Sequence, residues 1–109
     1  MQVSKVTDEF SICGQISASD VALIKATGFR TIVCNRPDDE EYGQPAAEII
    51  KKAAEDLDMK FYYLPLGRTG ISSELLEDFR NVVNGKNGPV FAYCRTGARC
   101  GMLWDASQS

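Results

Sequence analysis

The stretch PVFAYCRTGAR, residues 89–99, decides the fold class of this 109-residue chain. Its first half is an apolar and aromatic run typical of a buried strand. Its second half places a cysteine, a glycine and two arginines in a turn, and Met102, Leu103 and Trp104 follow in a segment that predicts a helix. A strand that passes through such a turn into a helix is typical of α/β proteins, in which ligands bind beyond the carboxyl ends of the strands.

The rest of the chain continues this alternation. Further strands are predicted at residues 11–14, 31–34 and 61–64. Helices are predicted from a capping box at residues 17–20 to residue 26, from Pro45 to Leu57, and from Ser72 or Ser73 to Val83. Residues 35–44 are polar and predict a loop. We therefore expect one α/β domain over residues 1–109, with a mostly parallel sheet flanked by helices.

The composition excludes several classes of protein. A formal charge of −3 without a basic run argues against a nucleic-acid binder. No apolar stretch approaches the roughly 20 residues needed to span a bilayer. No secretory signal is recognisable, so we expect a cytoplasmic protein.

The cysteine spacing and the absence of histidine exclude several kinds of metal site and catalytic site. The four cysteines form no C-x-x-C pair, so neither a disulfide framework nor a metal site is expected, and Cys13 and Cys34 lie in apolar runs typical of a core. Because the chain has no histidine, a Ser-His or Cys-His pair is excluded. A nucleophile must then be activated by backbone amides, a helix end or arginines, and no cofactor is expected.

Cys94 is the predicted nucleophile. A thiol with a pKa of about 8.5 is mostly protonated at neutral pH. Amides of a strand-to-helix turn, the helix dipole and the flanking guanidinium groups would stabilise its thiolate and a bound oxyanion. Arg99 is the predicted catalytic partner because its fork of donors matches an oxyanion. The predicted anion-binding loop between these two residues comprises Arg95, Thr96, Gly97 and Ala98.

Residues 89–99, together with Asn35-Arg36-Pro37 and residues 28–33, resemble a known family. This is the phosphatase-like domain of β-lactamase-hydrolase-like proteins, found alone or fused to a metallo-β-lactamase-type domain related to persulfide dioxygenases. The resemblance implies a fold similar to that of protein tyrosine and dual-specificity phosphatases. It also implies a persulfide dioxygenase or metallo-β-lactamase-type domain as a partner.

The loop departs from the spacing of those phosphatases. They carry C-x5-R, whereas here Arg99 comes one residue early and Cys100 takes the sixth position. The pattern C-R-x-G-x-R is similar to the active loop of rhodanese sulfurtransferases. A shorter loop makes a smaller cradle, which suits a sulfur atom better than a phosphoryl group.

The resemblance also implies where a phosphatase would hold its general acid, and that place is occupied by Gly67-Arg68-Thr69, without a carboxylate. Asp38, Asp39, Glu40 and Glu41 lie on another loop at the same edge and could substitute, but we favour a solvated acidic turn. Sulfane-sulfur transfer needs no strong acid.

These observations favour a sulfurtransferase in which Cys94 accepts sulfur from thiosulfate or a persulfide and carries it as a persulfide. The first alternative is a phosphatase that hydrolyses phosphomonoesters through a cysteinyl phosphate. The second is a non-catalytic anion-binding or thiol redox module.

Two further residues are candidate accessories. Cys100 stands where the family often has a small hydroxyl residue; it could resolve an oxidised Cys94 or accept its persulfide, although a packed residue at the helix start is the favoured interpretation. Arg36 either lines the pocket or is an ordinary surface arginine.

Overall fold

The computed structural model describes residues 1–109 and contains five strands and four helices. The strands are β1 (Ser4–Thr7), β2 (Phe10–Cys13), β3 (Thr31–Cys34), β4 (Lys60–Tyr63) and β5 (Val90–Tyr93). The helices are α1 (Val21–Ala26), α2 (Ala47–Asp56), α3 (Ser73–Val83) and α4 (Ala98–Ser107), and a short 3-10 turn at Ala18–Asp20 leads into α1. No helix is both long and apolar enough to cross a membrane.

One five-stranded sheet organises the molecule, in the order β1-β2-β5-β3-β4. The last four strands are mutually parallel and only β1 is antiparallel. The strand ends Cys13, Tyr93, Cys34 and Tyr63 lie at the same level in the register. The loops that follow these strands therefore emerge at one edge, with the loop after β5 between those after β2 and β3.

Helices cover both faces of the sheet. Val21 and Ile24 of α1 and Ile50 of α2 belong to one buried cluster, and Phe79 of α3 and Leu103 of α4 belong to the other. Burying an aliphatic or aromatic side chain of this size stabilises the fold by about 1.5–3 kcal/mol. Every residue of β5 is buried, as its continuous apolar sequence predicts for a strand covered on both faces.

The helix starts follow from local polar contacts. The capping box at Ser17 and Asp20 is present, and the Ser72 hydroxyl accepts the Leu75 N–H at 3.0 Å. Helix α2 begins two residues after the predicted Pro45, at Ala47, because the Asp38 carboxylate accepts the Ala47 N–H at 2.8 Å. The predicted fold class is confirmed, while β1 was not predicted.

Candidate active site

Cys94 immediately follows β5 and is 1% exposed. The Gly97 N–H donates to its sulfur at 3.0 Å. The pKa of Cys94 is lowered to about 5, chiefly by the hydrogen bond from the Cys100 thiol; burial opposes this, and the backbone amides of Cys100, Thr96 and Arg99 add to it. Cys94 is therefore a thiolate at neutral pH.

The shape of the loop depends on close backbone contacts. Gly97 has φ 96°, and a Cβ at this position would lie 2.9 Å from Ile12 Cγ2. The Thr96 hydroxyl accepts the Ala98 N–H at 3.3 Å, and the Gln15 N–H donates to the Arg95 carbonyl at 3.2 Å. These contacts hold the amides around the sulfur at the amino end of α4, where the helix dipole also favours negative charge.

Cys100 lies in the first turn of α4 and is fully buried. Its pKa is raised because its thiol donates to the Cys94 thiolate and because it is buried. It is thus a packed residue at the helix start, as expected, and at the same time a hydrogen-bond donor to the nucleophile. Its redox or sulfur-accepting roles stay predictions.

Arg99 forms a two-point ion pair with Glu40. Its Nη1 and Nη2 groups donate to the two carboxylate oxygens at 2.7 and 2.8 Å, and Nη1 also donates to the Leu66 carbonyl at 3.1 Å. The pKa of Arg99 is raised, chiefly by Glu40 and in smaller part by the nearby Cys94 thiolate. Because a guanidinium has five N–H donors, the Nε–H and one Nη2 hydrogen stay available for an anion.

Arg36 neither lines the cavity nor lies on the surface, so both predictions for it were wrong. Its side chain is 2% exposed and donates to Glu40 at 2.9 Å, to the Gln15 side-chain carbonyl at 3.0 Å and to Glu41 at 3.2 Å. A buried guanidinium is stable only when its donors and charge are matched in this way. Arg36 therefore holds Glu40 in place beneath Arg99.

The acidic loop is solvated at Asp39, Glu40 and Glu41, as expected, but two of its carboxylates also make specific contacts. The pKa of Glu40 is lowered to about 2, chiefly by Arg99 and also by Arg36, so this carboxylate has no proton to give at neutral pH. Asp38 caps α2 with its side chain, and its own N–H donates to the Tyr63 hydroxyl at 3.0 Å. Asp39, in a left-handed conformation with φ 62°, lines the cavity described below.

A cavity of about 490 Å³ opens at the carboxyl edge of the sheet. Its lining consists of Pro37, Asp39, Glu40, Gly67, Arg68, Arg95 and Arg99. These residues come from the loops after β3, β4 and β5, with Arg99 in the first turn of α4, as expected for a site beyond the strand ends. No carboxylate lies on the segment containing Gly67 and Arg68.

Sequence reasoning missed the Glu40–Arg99 pair and the bond between Gln15 and Arg36. The Glu40–Arg99 pair joins residues 59 positions apart, so no local sequence pattern predicts it. The available signal is topological: Glu40 and Arg99 follow strands that are neighbours in the sheet. No group of three or more metal-ligating side chains is assembled.

Comparison with known proteins gives sequence relatives over almost the whole chain. The family model of the phosphatase-like domain of beta-lactamase hydrolase-like protein matches residues 2–109. A beta-lactamase hydrolase-like protein of Agrobacterium fabrum is 32% identical over 104 residues, covering 95% of this chain and 24% of that protein. That of Xylella fastidiosa is 26% identical over 108 residues, covering 99% and 25%. The chain thus spans about a quarter of the length of these relatives.

Solved structures give the same fold. A proposed phosphatase of Neisseria meningitidis is 37% identical with a TM-score of 0.84, covering 95% of this chain and 74% of that chain. The core catalytic domain of the PP-IP phosphatase SIW14 of S. cerevisiae is 20% identical with a TM-score of 0.65, covering 97% and 73%. TpbA of P. aeruginosa, solved with pTyr, is 15% identical with a TM-score of 0.68, covering 93% and 58%. The last two show the fold alone, and the expected resemblance to phosphatases is confirmed.

Proposed function

The chain belongs to the family of the phosphatase-like domain of beta-lactamase hydrolase-like proteins, and from this premise we propose that it is a cysteine-dependent phosphatase acting on phosphomonoesters. The observation that carries the proposal is the Cys94 thiolate, with a pKa of about 5, held by loop amides beside the Arg99 guanidinium. The family and its solved neighbours favour this reaction over the sulfur transfer that the loop length and the missing carboxylate at Gly67-Arg68-Thr69 suggested.

The reaction proceeds in two displacements at phosphorus. The Cys94 sulfur attacks the phosphorus, the bond from phosphorus to the ester oxygen breaks, and the leaving oxygen takes up a proton. Water then attacks the cysteinyl phosphate, loses a proton, and releases inorganic phosphate and the Cys94 thiolate. Loop amides and the free edge of Arg99 bind the equatorial oxygens, where charge stabilisation supplies most of the catalysis.

Glu40 is the positioning residue for this cradle. It occupies one edge of the Arg99 fork and is itself fixed by the buried Arg36. A guanidinium held in this way loses little conformational freedom when an anion binds to its other edge. The same two contacts keep Glu40 ionised, which removes it as the source of the leaving-group proton.

Asp39 is the residue to which we assign that proton. Of the two carboxylates in the cavity lining, Glu40 is engaged in ion pairs and Asp39 is in none. General-acid catalysis of this kind contributes about 10²–10⁴ in rate when the leaving group is poor. An aryl phosphate depends less on this general acid, because its leaving oxygen is stable as an anion.

Sulfur transfer is the second candidate, because the loop from Cys94 to Arg99 is one residue shorter than C-x5-R. A thiolate of low pKa serves either reaction. As a further proposal, a persulfide dioxygenase or metallo-β-lactamase-type domain is the partner, as the family resemblance implies; the relatives are about four times as long as this chain, which leaves room for such a domain. The expected cytoplasmic location stays a prediction.

Hydrolysis of phosphate esters tests the proposed function. We expect the protein to hydrolyse p-nitrophenyl phosphate, and Cys94→Ser to lower kcat/KM more than about 10³-fold, because the nucleophile is lost. Cys13→Ser, a change of another buried cysteine outside the loop, should leave the rate within about threefold. Asp39→Asn should slow an alkyl phosphate more than the aryl phosphate. Hydrolysis that persists in Cys94→Ser would refute the proposal.

A further inference from the structure

Three guanidinium groups line the cavity, and only one of them is paired with a carboxylate. Arg99 is bound to Glu40, whereas Arg68 and Arg95 are exposed and take part in no ion pair or side-chain hydrogen bond. A phosphoryl group bound to the Cys94 loop uses the loop amides and the free edge of Arg99. This binding mode leaves the side chains of Arg68 and Arg95 unused, although the sequence predicted Arg95 as part of the anion-binding loop.

Arg68 and Arg95 come from loops on the two sides of β3. Arg95 follows Cys94 at the end of β5, and Arg68 lies on the segment after β4. Because β4, β3 and β5 end at the same level, both arginines stand at the mouth of the same cavity. Asp39 is the only unpaired carboxylate among the lining residues.

The lining offers little of the apolar surface against which an aromatic or aliphatic substituent would pack. Apart from Pro37 and Gly67, every lining residue is charged. Small-molecule sites usually hold their ligand against apolar and aromatic side chains, with few polar groups. This cavity, although its volume of about 490 Å³ suits a small molecule, offers charge instead of apolar contact.

We propose that the substrate is a small polyanion, a phosphomonoester that carries a second phosphate group on the same molecule. Arg68 and Arg95 bind the second phosphate while the Cys94 loop and Arg99 bind the phosphate that is transferred. Two forked cations match the two negative charges of a phosphate group better than a neutral or monoanionic substituent. The inference rests on the proposed phosphatase function and adds its substrate class.

The test compares fructose 1,6-bisphosphate with fructose 6-phosphate at low ionic strength. We expect kcat/KM for the bisphosphate to exceed that for the monophosphate by at least about tenfold. Arg68→Gln and Arg95→Gln should each bring the ratio of the two values close to one. Arg30→Gln is the matched control, because Arg30 is exposed at the opposite edge of the sheet and should leave the ratio unchanged.

Binding to the Cys94→Ser protein, measured by calorimetry, separates this inference from the proposed function. If the Cys94→Ser protein binds the bisphosphate about tenfold more tightly than the monophosphate, and this difference depends on Arg68 and Arg95, the polyanion site is supported even when no ester is hydrolysed. If esters are hydrolysed through Cys94 but the two sugar phosphates bind and react equally well, the polyanion inference is overturned while the proposed phosphatase function is retained. A preference that persists in both glutamine variants would overturn it too.

Discussion

Cys94 owes its low pKa to contacts that single substitutions can remove. Ultraviolet absorbance of the thiolate, measured as the difference between the protein and Cys94→Ser, should show one titration near pH 5. The pKa values of Cys13 and Cys34 are raised by burial, so neither contributes at neutral pH. Because the folded pKa of Cys94 is depressed, the activity that depends on the thiolate should be lost as pH falls through about 5. The stability that the thiolate contributes is fully present above the unfolded pKa of about 8.5, declines as pH falls from there, and is gone below about 5.

Cys100 provides the sharpest check on the cause of that acidity. Cys100→Ala removes the largest stabilising contact and should raise the pKa of Cys94 toward that of an ordinary thiol. Cys100→Ser is the matched control, since its hydroxyl can donate to the sulfur in place of the thiol. Equal pKa values for Cys94 in the two variants would show that the amides, rather than the side chain at position 100, set its acidity.

The loop after β3 contacts, through its side chains, the segment that follows the neighbouring strand β5. Glu40 on this loop holds Arg99 and is braced by Arg36, so Glu40→Gln should lower kcat/KM and reduce the free energy of unfolding by about 1–3 kcal/mol. Glu41→Gln is the matched control, because Glu41 contacts Arg36 but not Arg99. It should cost less stability and leave kcat/KM nearly unchanged.

Urea denaturation and steady-state kinetics of these two variants give both quantities. The two readouts also separate positioning from folding, since a purely structural role for Glu40 would lower stability without changing the activity of the folded protein. Equal losses of activity in Glu40→Gln and Glu41→Gln would contradict the positioning role.

For the molecule as a whole, the fold and the place of the site could be predicted because they depend on local patterns. The apolar run before Cys94, the helix caps and the glycine-containing turn each reflect a short segment. The strand β1 could not be predicted, because all four of its residues are exposed and show no alternation. The ion pair between Glu40 and Arg99 could not be predicted either, because it joins segments that only the order of strands in the sheet brings together.

The reaction that the site catalyses was the property that local sequence patterns predicted least well. The loop length and the missing carboxylate at Gly67-Arg68-Thr69 favoured sulfur transfer, whereas the family relationship and the solved neighbours favour phosphate. The structure adds that the shorter loop still surrounds Cys94 with amides and keeps an edge of Arg99 free. Loop length by itself is therefore a weak guide to which anion the cradle binds.

Trapping the covalent intermediate is the measurement that tests the central claim most directly. The protein is mixed with a phosphomonoester, quenched in acid within one turnover and digested, and the peptide containing Cys94 is weighed by mass spectrometry. A parallel sample receives thiosulfate. We predict an added phosphoryl group on Cys94 in the first sample and none in Cys94→Ser. A persulfide on Cys94 from thiosulfate, with no phosphoryl adduct from the ester, would contradict the account and favour sulfur transfer.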